Sequence, residues 1–200
     1  MDGPPPTITT GNDWVEVRGA FGVDRARWTL TAAGELRLDY SYSLEGLFTY
    51  HGITFDLPER NVSSMRWLGQ GPYRVWQNRL RGTWLGLHET TRTELQPGES
   101  WTFPEFQGFY AGVQWARIAT TDGSLTVING APDSTWLRIG TPRVSHSATT
   151  VAFPAGDLSI LHAIPAMGSK FITPENSGPR SQPAKASGSY AGSLTFVPGR

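Results

Sequence analysis

The sequence contains no cysteine, so neither disulfides nor thiolate metal sites are available to it. It has no apolar run of about 18 residues, and a membrane-spanning helix is therefore not expected. Met1 is followed by Asp2-Gly3-Pro4-Pro5-Pro6, which has neither the basic start nor the apolar stretch of a secretion signal. Lysine plus arginine equal aspartate plus glutamate at 17 each, so no net field draws the chain towards nucleic acid. Sustained helical periodicity with caps is missing too. The expectation is a soluble chain with no nucleic-acid or membrane partner. It would be cytoplasmic, or secreted if it is a fragment whose leader lies elsewhere.

The residues that are present point to sheets. With 23 Gly and 15 Pro in 200 residues, turns are frequent, and the length allows one domain with a sizeable core. Residues 1–12 read as a flexible lead-in, and 13–200 as a single domain. Apolar and polar residues alternate strictly through Leu36-Arg37-Leu38-Asp39-Tyr40-Ser41-Tyr42, and the same period runs through Arg27-Trp28-Thr29-Leu30. Ala32-Ala33-Gly34 joins the two as a hairpin. A second hairpin is expected from 113–120 and 124–129 around Thr121-Asp122-Gly123. Trp136–Ile139, Leu158–His162 and Leu194–Phe196 complete the predicted strands, with a long Pro/Ser/Gly-rich loop at about 173–189. Many short strands with regular turns predict an all-β antiparallel sandwich.

Eight Trp, six Tyr and nine Phe make the chain 12% aromatic. Such rings fill β cores, and their faces also stack on the C–H surfaces of sugars. Three of them, Trp67, Tyr73 and Trp76, stand in Trp67-Leu68-Gly69-Gln70-Gly71-Pro72-Tyr73-Arg74-Val75-Trp76-Gln77-Asn78-Arg79. Its Gly and Pro residues force a bend, and flat rings stand beside planar hydrogen-bonding groups, the combination a sugar site needs. The sugar-binding candidates are Trp67, Tyr73, Arg74, Trp76, Asn78 and Arg79, with Glu105. The opposing reading buries the tryptophans and lets the arginines pair with carboxylates to hold the bend.

This motif, with Tyr50-His51-Gly52-Ile53-Thr54-Phe55-Asp56-Leu57-Pro58-Glu59 and Met65-Arg66 before it, resembles the C-terminal domain of family 2 glycoside hydrolases of the β-galactosidase type. The pattern continues through Phe103-Pro104-Glu105-Phe106-Gln107-Gly108, Leu161-His162-Ala163-Ile164-Pro165 and Gly178-Pro179-Arg180-Ser181-Gln182. It covers the chain from about Phe21 to the C-terminus. The resemblance implies a supersandwich similar to galactose mutarotases, packed in the full enzyme beside a barrel that holds both catalytic carboxylates. The barrel is absent from this chain, and the sandwich is expected to lack the family's first strands on its N-terminal side. Some relatives line the sugar site with a late-loop Trp, whereas Pro183-Ala184-Lys185-Ala186 carries no aromatic residue.

Glycoside hydrolysis by the chain alone would need a carboxyl pair, for which Glu105, Glu59 and Asp56 are the candidates. A mutarotase-like reaction would need an imidazole acid. Of His51, His88, His146 and His162, His51 at a strand start is the pocket candidate, and His162, beside Ile160 and Ile164, reads as a core histidine. No histidine has metal-ligand spacing, and no cofactor is expected. Three functions therefore stand: a domain that binds a glycan or galactoside or completes a larger hydrolase, an autonomous small glycosidase, and a purely structural domain. Unpaired sheet edges predict association with catalytic domains or with further copies of the chain.

Overall fold

The computed structural model describes residues 5–20, 22–57, 59–91, 108–140, 153–168 and 171–199. Glu105 and His146 lie outside these residues. Thirteen strands are formed, in two sheets, with no α-helix among the described residues. The strands are β1 (Thr7–Thr10), β2 (Trp14–Ala20), β3 (Val23–Leu30), β4 (Leu36–Phe48), β5 (His51–Phe55), β6 (Val62–Gly71) and β7 (Trp84–Thr91). They continue as β8 (Tyr110–Ala111), β9 (Trp115–Thr120), β10 (Gly123–Asn129), β11 (Trp136–Ile139), β12 (Leu158–Ala163) and β13 (Ala184–Gly199). The larger sheet runs β1-β2-β3-β4-β13-β10-β9-β6-β7, and the smaller runs β5-β12-β11-β8. All recorded pairings are antiparallel.

Period-two patterning builds the core. Along β4, Leu38, Tyr40 and Tyr42 turn inward, as do Met65 and Trp67 of β6 and Ala116 and Ile118 of β9. Facing them from the smaller sheet are Leu137, Ile139, Leu158 and Ile160. The predicted sandwich and both hairpins are present. Three local expectations differ. Residues 7–10 of the supposed lead-in pair with β2. The loop predicted at 173–189 ends at Ala184, where β13 begins its long pairing with β4. The motif's first residues continue β6, so the bend starts only at Pro72, after a cis Gly71–Pro72 peptide.

The far face of the smaller sheet is also covered. Leu161 of β12 turns away from the main core and packs with Val75, Trp76, Phe109, Ile164 and Met167. The segment after Pro72 therefore serves as a lid on that sheet.

Candidate functional site

Two places bring chemically capable residues together. The first is the bend after β6. Trp67 is 0% exposed and lies 4.7 Å from the Tyr110 ring, with its Nε1 donating to the Gln70 carbonyl at 3.2 Å. Trp76 is 2% exposed and meets Phe109 edge-on at 5.4 Å. A tight turn closes the motif, with reciprocal main-chain bonds between Trp76 and Arg79 at 3.1 and 2.8 Å.

Asn78 sits in that turn and acts as a clamp. Its Nδ2 donates to the Met167 carbonyl and to Ser181 Oγ, both at 2.9 Å, while its Oδ1 accepts from the Met167 N–H at 3.0 Å. Gln77 Nε2 donates to the Gln182 carbonyl, and Arg79 Nη2 to the Gly168 carbonyl. Three stretches far apart in sequence thus meet at one turn. Arg74 stacks over the Tyr110 ring at 5.6 Å. The residue is partly exposed, but its Nε and Nη2 are buried without a hydrogen-bond partner, and burial lowers its pKa.

The second place is the corner where the chain leaves the larger sheet after Phe48 and enters the smaller one at His51. β12 pairs Leu161 with Gly52 and Ala163 with His51, so His162 is the extra residue of a bulge. The bulge brings His162 to Tyr42. The Tyr42 hydroxyl lies 2.7 Å from His162 Nδ1 and 3.0 Å from His51 Nδ1. Tyr190 stacks on Tyr42 at 5.4 Å and meets His51 at 4.5 Å. Burial lowers the pKa of both histidines, with the neighbouring His51 adding to the effect at His162. Burial pushes Tyr40 up to about 12 and raises Tyr42 further.

Beside this network lies a cavity of about 650 Å³, bounded by β3, β4, β5 and Pro154-Ala155. Arg138, only 1% exposed, fixes that last wall by donating to the carbonyls of Pro154 and Gly156, and also to Gly140 at 2.7 Å. A buried guanidinium aimed at main-chain carbonyls is a positioning device, because each carbonyl satisfies an N–H that water cannot reach.

The family model for the β-galactosidase small chain matches residues 12–163 of this sequence, from before β2 to the end of β12. The chain belongs to the β-galactosidase small-chain family. A search of curated proteins finds no match to it. The small-chain match begins nine residues before Phe21, so it takes in β2 and all of β3.

The expected site residues divide accordingly. Trp67 and Trp76 are core, so their faces are closed to a sugar in the folded chain. Asn78 and Arg79 hold main chain, and only Tyr73, at 50% exposure, presents an open ring. Asp56 is exposed after β5, and Glu59 opens a 3₁₀ turn. Among the described residues no group of His, Cys, Asp and Glu is arranged to hold a metal ion. His51 does line the cavity. Its companions Tyr42 and Trp28 were not marked by sequence reasoning. The available signal was the Tyr40/Tyr42 pair on one strand face, a short corner away from His51.

Proposed function

We propose that this chain is the sandwich portion of a β-galactosidase-type glycoside hydrolase and works by packing onto the polypeptide that carries the catalytic carboxylates. The observation that carries this reading is an apolar row across the solvent face of the larger sheet. Leu87 pairs with Leu68, Leu68 with Trp115 and Trp115 with Ile128, so four side chains cross β7, β6, β9 and β10 in register. Leu87 is 51% and Ile128 43% exposed. The row reaches β7, an edge strand among the described residues, whose Leu85 is exposed on the same face. An apolar row continuous with an open edge is a surface for another chain. The family name, a small chain, fits a partner that supplies the rest of the enzyme. Glycan recognition then belongs to the assembled enzyme, since the motif's tryptophans are core.

The test is complementation. Adding the purified chain to the barrel-bearing polypeptide of such an enzyme, made without its own sandwich region, should restore hydrolysis of a chromogenic β-galactoside. The double substitution Leu87→Lys, Ile128→Lys should lower the restored activity at least about tenfold. Hydrolysis by the chain alone, or complementation untouched by the substitutions, would count against the reading.

A further inference from the structure

The cavity beside His51 has no part in the assembly just described. The space is partly open to solvent and measures about 650 Å³, within the size of small-ligand sites. Its wall is unusual in composition. Trp28, Tyr40, Tyr42, Tyr50 and Phe55 contribute rings, and His51 contributes an imidazole. None of the described residues lining it is Asp, Glu, Lys or Arg.

Most polar atoms of the wall are already engaged. The Tyr50 hydroxyl donates to the Phe153 carbonyl at 3.1 Å, and Thr54 Oγ1 donates to the Leu158 carbonyl at 3.2 Å. The Tyr42 hydroxyl is shared between the two imidazoles. It has a single proton, so it donates to one Nδ1 and accepts from the other. In one of the two arrangements that satisfy this, a neutral His162 carries its N–H on Nε2, the ring nitrogen that does not face Tyr42. A neutral His162 carrying that N–H leaves its Nδ1 as an acceptor, which takes the Tyr42 proton. The Tyr42 oxygen then accepts from His51 Nδ1–H. The lone pair on His51 Nε2 is left as an acceptor on a ring that lines the cavity.

We propose that this cavity binds a neutral phenol or aryl alcohol, its ring against the aromatic wall and its hydroxyl donating to His51 Nε2. The absence of charge on the described lining argues against an anion or a cation. A free monosaccharide is disfavoured because its several hydroxyls would lose water against a wall that is mostly apolar. A flat ring with one hydroxyl matches both the apolar area and the acceptor on His51.

Titration calorimetry of the full chain with 2-naphthol, 2-methoxynaphthalene and galactose tests this, and needs no partner polypeptide, so it is independent of the complementation result. 2-Naphthol should bind saturably with a Kd below about 1 mM, and the methyl ether, which cannot donate, about tenfold more weakly. Ala26→Trp, which fills the space from β3, should abolish binding with the circular dichroism spectrum retained. His51→Phe should bring 2-naphthol down to the level of its ether. If that variant does not fold, the comparison of the two naphthalenes in the unaltered chain still reads the hydrogen bond. Absence of saturation, equal binding of phenol and ether, binding undiminished by Ala26→Trp, or tighter binding of galactose would each overturn the proposal.

Discussion

Asn78 shows how one side chain can organise a region without touching a ligand. Its amide presents a donor and an acceptor in the spacing of a peptide group, so it pairs with Met167 as a strand neighbour would. Asn78→Ala leaves the main-chain N–H and carbonyl of the buried Met167 unpaired, and should cost about 2–3 kcal/mol in urea unfolding. Asn78→Asp should be at least as costly, because a carboxylate oxygen would face the Met167 carbonyl. A second expectation concerns pH. His51 and His162 titrate below their ordinary value of 6.5 in the folded chain, so the unfolded chain binds more protons in the window beneath that value. Stability is then complete above about pH 6.5 and declines as pH falls through the lowered folded values. The rings facing the two imidazoles belong to Tyr40, Tyr42, Tyr190 and Phe48, and none of these can offset an imidazolium with a carboxylate. The melting temperature should fall between pH 7.5 and 5.5, and His162→Gln should flatten that fall. Glu16, held low by Arg25 and then Arg18, responds only in the more acidic carboxylate range.

Among the elements, β5 and β12 decide whether the His51–Tyr42–His162 corner exists. A Cβ on Gly52 would run into the main chain of Ile160 and Leu161, so only glycine lets the two strands close at the bulge. Gly52→Ala should destabilise the chain by about 1–3 kcal/mol and shift the ring resonances of His51 and His162 together. Unchanged resonances would show that the strands tolerate the methyl group. The pairing of β4 with β13 places Tyr190 opposite Tyr42 and Gly192 opposite Tyr40, where a Cβ at Gly192 would strike the Tyr40 ring. Alternation announced β3, β4 and β10, whose two faces differ, whereas β12, buried on both faces, showed as a short apolar run. It announced β6 and β7 poorly, since Leu68, Leu85 and Leu87 place apolar residues on the face that the chain leaves open.

For the molecule as a whole, the same open face predicts self-association when the chain is alone. Sedimentation velocity should show concentration-dependent species, and Leu87→Lys with Ile128→Lys should shift them towards monomer. A monomer at all concentrations would mean that the row is too small to hold another chain. The two hydrophobic clusters lie on opposite faces of the smaller sheet, so the bend after Pro72 does not decorate the sandwich but completes its second layer of packing.

The residue pattern by itself determined an all-β chain, most of its strands and its kinship with the β-galactosidase small chain, because alternation and the Trp67–Arg79 motif are properties of local order. Only the tertiary structure decided that Trp67 and Trp76 are core, that Asn78 is a clamp, and that Tyr42 stands between His51 and His162. Those facts depend on which strands pair and where a single bulge falls, and a one-residue change of register would have sent the same side chains to the other face.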